Sequence, residues 1–246
     1  MKYFVCQNQV LLLMVDKEMK SHWQFEKSRI LIKIMRISEI SFGKFPDISF
    51  LNPNFKTDST KIRLVLDIFL PGKKELNLSS TYKKVQKLMP TLSRHRCCVS
   101  LFYGSLNQKE EGGIPLKKIG DITDIAHLME HMIIDLQAHI SGMDSCSGIT
   151  CGYQEPDFRF DIFVECKDKN MARFSSYLTL DLMKKILSGE KVSPKYQKII
   201  QLAKYLHRYP NRIDSFERIS RDLGFSKRSV KFLLNDLANL RYFSKG

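Results

Sequence analysis

One segment restricts the folds open to this chain more than any other. Residues 121–142 read "DITDIAHLMEHMIIDLQAHISG". Ile125, Leu128, Met132 and Leu136 recur at helical spacing, Asp121 and Thr123 are set to cap the N-terminus, and Gly142 is a natural stop. Met129, Ile133 and Ile134 make the rest of the helix apolar as well. A helix that is apolar on most sides has to lie inside a domain rather than on it. Yet this one carries His127, Glu130 and His131, and burying those without partners is costly. The fold must therefore cover the helix and, at one place along it, satisfy two imidazoles and a carboxylate.

The flanking sequence supplies the cover. Residues 1–34 form an N-terminal extension whose "DKEMKSHWQFEKSR" has no strand alternation, and a compact domain opens at Met35 with "MRISEISFG". "TKIRLVLDIFL" (60–70) is β-branched and aliphatic and stops at Pro71-Gly72, which predicts a strand. "TYKKVQKLMPTL" predicts a helix broken near Pro90, and "RHRCCVSLFYG" reads as strand or loop. "FRFDIFVEC" (158–166) alternates as a strand, and "NMARFSSYLTLDLMKKILSG" is a second amphipathic helix ending at Gly189. The expected class is α+β, a mixed sheet packed by helices over residues 35–189. After the linker "GEKVSPK" a small all-α module, helix-turn-helix and winged-helix-like, occupies residues 194–246.

Positions three and four apart share a helix face, so His127, Glu130 and His131 point the same way. Two imidazoles one turn apart can reach one Zn²⁺ at about 2.0–2.1 Å. Zinc lowers the pKa of a bound water to about 7, so a carboxylate between the two histidines suffices as a base. The order is HxxEH, the reverse of the commoner HExxH. The same residues also occur as the polar edge of an ordinary helix; the apolar context favours the metal. The expected roles are Glu130 as catalytic base and His127 and His131 as zinc ligands. For the third protein ligand Glu165, at the end of the strand 158–166, is the choice, with Glu155, Asp161 and Cys166 as alternatives.

Several stretches occur in a telling order: "MRISEI", "LMPTLSRHRCC", "HLMEHMIIDLQAHISGMD", "EPDFRFDIFVEC" and a helix with "ARFSSYLTLDLM". Together they resemble the N-terminal domain of cyanophycin synthetases, which runs from a start like "MKI" through "LPGL…HRCS" and "H-x-x-EH-x-x-x-ELQ-x-x-AGM" to a strand like "YNVVFEY". The likeness spans residues 35–187, with an insertion around "NQKEEGGIPLKK". The ATP-grasp and Mur-ligase-like modules that join aspartate to arginine in those enzymes have no counterpart in these 246 residues, so the synthetase reaction is not expected. The resemblance implies a domain that binds an Asp/Arg polymer or a related peptide. In some family members the HxxEH site is a zinc hydrolase that clips the polymer. His127, Glu130 and His131 match that site, and Glu165 matches the glutamate of the "FEY" strand. One departure bears on the substrate: where the family commonly reads "GRTR", this chain reads "GITC" (148–151). The arginines expected to meet an acidic substrate are absent.

The formal net charge is +14, and +9 of it falls between Lys191 and Gly246, where 13 Lys and Arg meet 4 Asp and Glu. A basic terminal module points to a polyanionic partner. "FERISRDLGFSKRSVKFLLNDLANLRYF" has helix-turn-helix spacing: Phe216, Ile219 and Leu223 face inward from the first helix, and Gly224 makes the turn. Ser226 caps the second helix, and Val230, Leu233, Leu234 and Leu237 pack inward from it. Ser226, Lys227, Arg228 and Lys231 are then the candidate DNA contacts. The competing use of this module is packing or self-association into a homo-oligomer. The six cysteines contain no CxxC pair and no secreted-framework spacing, and the apolar run 10–15 is too short to span a membrane. The expectation is a soluble cytoplasmic protein with reduced thiols and no membrane partner.

Overall fold

The strand read at residues 60–70 is the axis of the fold. The computed structural model describes residues 34–50, 55, 58–69, 78–97, 114–115, 125–143 and 145–243. In it β1 (Met35–Gly43) and β2 (Lys61–Ile68) pair, a separate small ladder joins β3 (Arg96–Cys97) to β4 (Ile114–Pro115), and β5 (Gly148–Gly152) and β6 (Arg159–Glu165) form a hairpin. The four-stranded sheet has the order β1-β2-β6-β5, and every pairing is antiparallel. This corrects the mixed sheet expected from the sequence. The long connection after β2 does return β5 parallel to it, but β6 lies between the two and runs against both, so no parallel neighbours meet.

The period-two alternation of β2, "KIRLVLDI", divides the sheet into two faces. Ile62, Leu64, Leu66 and Ile68, with Ile162 and Val164 of β6, enter the main core. There they meet α2 (Ile125–Ser141) and α3 (Lys169–Leu187) through residues such as Met129, Met132, Ile133, Phe174, Leu178 and Leu182. The other face carries Lys61, Arg63 and Asp67 of β2, and on β6 Arg159, Asp161, Phe163 and Glu165; there Phe163 packs with Ile48 and Phe55 in a second, small cluster. The helix α1 (Leu78–Leu88) stops before Pro90, where a 3-10 turn (Pro90–Arg94) takes over, as the proline predicts.

Both long helices end where the sequence punctuates them. Gly142 and Gly189 take φ of 68° and 74°, the left-handed conformation that closes a helix without a Cβ penalty. Asp168 caps α3 by accepting from the backbone N–H groups of Asn170 and Met171. The caps expected at Asp121 and Thr123, residues 1–33, and most of "RHRCCVSLFYG" and of the insertion lie outside the described residues.

Three further helices follow: α4 (Lys195–Arg208), α5 (Phe216–Leu223) and α6 (Lys227–Asn239). Gly224 makes the turn at φ 66°, and the Ser226 hydroxyl accepts from the Ser229 N–H at 3.1 Å. Ile219, Val230, Leu233 and Leu237 are buried, with Leu223 and Leu234 half-buried. Phe216, expected on the inward face, is the first residue of its helix and is 40% exposed. Among the described residues no strand follows β6. α4 packs on α2, and Ile199, Leu202, Ala203 and Leu206 belong to the same core as the sheet. No helix among the described residues is long and apolar enough to cross a membrane.

A charge ladder crosses the outer face of the sheet. Arg36, Asp67 and Arg159 stand opposite one another on three successive strands. The Asp67 carboxylate, fully buried, accepts from Arg36 Nε at 2.9 Å and from Arg159 Nε at 2.7 Å. Burial pushes this carboxyl upward, but the hydrogen bonds from Arg159 and Arg36 outweigh it and hold it below the usual carboxylate range. Its contribution to stability is therefore complete above the unfolded value of about 3.9 and is lost as pH falls through the lower folded value. Asp67→Asn should cost on the order of 1–3 kcal/mol at neutral pH. Urea denaturation of both proteins at neutral and at acid pH checks this: the gap between them should shrink in acid, and an equal gap at both would assign the loss to shape rather than charge.

Candidate metal centre

α2 is buried along nearly its whole length, and its polar residues fall on one stripe. His127, His131 and Asp135 are spaced by four, and Glu130 lies beside them. Glu130 and His131 are each 4% exposed, and His127 is half-buried. Ligand atoms of His127, Glu130 and His131 lie within 4.8 Å of one another. The two Nε2 atoms of His127 and His131 are 3.2 Å apart. Two nitrogens bound to one zinc at about 2.0–2.1 Å and tetrahedral angles stand about 3.3–3.4 Å apart, so this spacing fits the edge of a zinc coordination tetrahedron. Burial, the neighbouring His127 and the neighbouring His95 together hold the His131 imidazole well below its ordinary value, which keeps it neutral as a ligand must be.

The glutamate is fixed from the sheet side. β5 presents Gly148 and Thr150 to the same face of the sheet as Val164 and Ile162. The Thr150 hydroxyl donates to Glu130 Oε2 at 2.6 Å. A Cβ at Gly148 would stand 2.8 Å from both Cγ and Oε1 of Glu130, so the carboxylate occupies the space that a side chain at position 148 would fill.

Glu165, expected as the third ligand, is not brought to this group. It is one residue beyond Val164 and projects from the opposite face of the sheet. There the Ser59 hydroxyl donates to its Oε1 at 2.8 Å and the Ser147 N–H to its Oε2 at 3.0 Å. Its cross-strand partner is Lys61, whose ammonium donates to the Ser59 hydroxyl at 2.9 Å. The alternatives are also elsewhere. Asp161 accepts from Arg63 and from the Tyr153 hydroxyl, each at 3.0 Å, and Glu155 is exposed. Burial pushes the Cys166 thiol up to about 11, so it stays protonated at neutral pH. Burial pushes the Cys146 and Cys151 thiols up to about 12, and these three cysteines are free.

The residue that does arrive is His95, at the end of the 3-10 turn after Pro90. Its Nδ1 is 3.2 Å from His131 Nδ1, and its Nε2 is 3.0 Å from Asp135 Oδ1. Thr91 of the same turn donates to that oxygen at 2.7 Å. No spacing rule ties His95 in "RHRCC", or Gly148 and Thr150 in "GITC", to the helix, and the sequence alone assigns them no part. The signals present were the four-residue step from His131 to Asp135 and the glycine two positions before Thr150.

The polar face of α6 is the other predicted site. Ser226, Lys227, Arg228 and Lys231 are all exposed, though the Lys227 ammonium is 2.9 Å from Glu217 Oε1.

No curated protein and no solved structure gives a significant match to this chain. The family described as the cyanophycin synthase-like N-terminal domain matches residues 61–188. That span holds β2, β5, β6, α1, α2 and α3, and with them the whole His127–Glu130–His131 group. Since the matched span is more than half of the 246 residues, the chain belongs to the family of cyanophycin synthase-like N-terminal domains.

Proposed function

We propose that this protein is a zinc-dependent hydrolase of peptide bonds, acting in the cytoplasm on a cyanophycin-like polymer or another small peptide. The observation that carries this reading is the convergence of His127, Glu130 and His131 at zinc-compatible spacing on a helix buried along nearly its whole length. His127 and His131 would hold the ion through their Nε2 atoms. Zinc, when bound, polarises the amide carbonyl and makes water acidic enough to lose a proton near neutral pH. Glu130 takes that proton as the water oxygen bonds to the carbonyl carbon, and delivers it to the amine as the C–N bond breaks. Thr150 keeps one carboxylate oxygen in place. Ile149 and Cys151 stand where family arginines would meet an acidic chain, which favours a substrate less acidic than cyanophycin.

A second reading is a regulator that binds DNA, with the family domain sensing a peptide or metal. It rests on α6, whose N-terminal half exposes Arg228 and Lys231, neither of them in an ion pair among the described residues. Phe232 beside them is 59% exposed, with the Arg228 guanidinium 5.7 Å from its ring centre. Cations at the start of a helix add to the positive end of its dipole, an arrangement suited to phosphate.

Glu130→Gln should keep zinc and lose turnover by about 10²–10⁴-fold, because the amide is nearly isosteric and cannot take the proton. Zinc content and cleavage of a peptide library that includes the Asp/Arg polymer are measured together, and full activity in the zinc-loaded variant would remove Glu130 from this role. Gly148→Ala should displace the Glu130 carboxylate and lose activity with zinc retained; a crystal structure with Glu130 still bonded to Thr150 would contradict this. For DNA, Arg228→Ala with Lys231→Ala should lower the log–log salt slope of binding by about 0.9 for every phosphate that is no longer neutralised. Fluorescence anisotropy at several salt concentrations measures it, and absence of wild-type binding at low salt ends the second reading.

A further inference from the structure

His131 makes contacts through both ring nitrogens, and the two are not alike. Nε2 faces His127 Nε2 at 3.2 Å, while Nδ1 faces His95 Nδ1 at 3.2 Å. His95 in turn sets its Nε2 3.0 Å from Asp135 Oδ1, which also accepts from Thr91 at 2.7 Å. A carboxylate only accepts, so His95 carries a proton on Nε2. In the neutral ring His95 Nδ1 is then an acceptor, and the proton between the two Nδ1 atoms belongs to His131. A neutral imidazole has one N–H, so His131 Nε2 is left with its lone pair, turned toward His127.

We infer that Asp135 and His95 are positioning residues that fix the His131 tautomer, holding its Nε2 unprotonated and aimed at the place where His127 and His131 would share a metal. This deepens the proposed hydrolase and rests on its assignment of His131 as a ligand. The alternative tautomer, with the proton on Nε2, would leave His131 Nδ1 and His95 Nδ1 as two lone pairs facing each other beside the buried His131 ring, a costly arrangement. Acceptors on the far nitrogen of a ligating histidine orient the ring and raise its basicity, and their loss typically costs about 10–100-fold in metal affinity.

The architecture explains how the chain assembles this relay. His131 and Asp135 lie one turn apart on α2, and the Pro90 turn brings His95 between them from a different part of the chain. Glutamine can copy both contacts of His95, because its amide carries a donor and an acceptor about as far apart as the two ring nitrogens.

The test uses the full-length protein, ¹⁵N-labelled and metal-free, with the imidazole tautomers read from long-range ¹H–¹⁵N correlations. Wild type should show His131 protonated at Nδ1 and His95 at Nε2. Cobalt(II) titration, followed by visible absorption, should then give about 10–100-fold weaker binding for His95→Leu and recovery of most of it in His95→Gln. A His131 proton on Nε2 in wild type would overturn the inference, as would His95→Leu with tautomer and cobalt affinity both unchanged. If His95→Leu does not fold, the wild-type tautomer and His95→Gln still decide. Wild-type protein with the expected tautomer but no cobalt binding would sink the hydrolase reading and leave the relay standing.

Discussion

Covering α2 is the requirement from which the rest of the architecture follows. Ile125, Leu128, Met129, Met132, Ile133, Ile134, Leu136 and Ile140 are all buried, so the helix needs neighbours around most of its circumference. The sheet covers one side, α3 another and α4 a third. Each buried aliphatic side chain is worth about 1.5–3 kcal/mol relative to exposure, so the helix is held firmly in place. This rigidity allows a buried glutamate and two histidines to be kept at fixed spacing. On a loosely held helix the same residues would turn outward to water, and the spacing that suits a metal would be lost.

The sheet takes part in the same division of labour. Its inner face is apolar except where β5 reaches the helix, and there it offers Gly148 for room and Thr150 for a hydrogen bond. Its outer face carries the charge, in the Arg36–Asp67–Arg159 ladder and in Arg63 with Asp161. Glu165 belongs to this outer system, anchoring the end of β6 to Ser59 and to the start of β5. Its place on a strand end beside a family motif made it look like a ligand. The period of two in a strand decided otherwise, because the neighbour Val164 already occupies the helix side.

Much of this was legible in the residues. The helical spacing of 125–136, the stops at Gly142, Gly189 and Gly224, the break at Pro90 and the alternation of 60–70 each reflect local chemistry that acts within a few residues. The grouping of His127, Glu130 and His131 is local too, set by one turn of helix. What could not be read were the contacts made across the chain. His95 is 36 residues from His131, and Thr150 is 20 residues from Glu130. No spacing rule joins such pairs; they meet only once the sheet order is known. The mixed sheet failed for the same reason, since whether β6 inserts between β2 and β5 depends on tertiary pairing rather than on the strands themselves.

The packing of α4 on α2 has a consequence for the chain as a material object. The linker at 189–195 looks like a seam, yet Leu202, Ala203 and Leu206 fill the same core as Met132 and Ile133. Tyr242, near the far end, reaches back to donate to the Ala203 carbonyl at 3.1 Å and stacks edge-on against Phe174 of α3. Cutting at the linker would uncover an apolar strip of the very helix that carries the histidines, and the freed half would be prone to stick to itself. The two halves, divided by the linker in sequence, share one apolar interior.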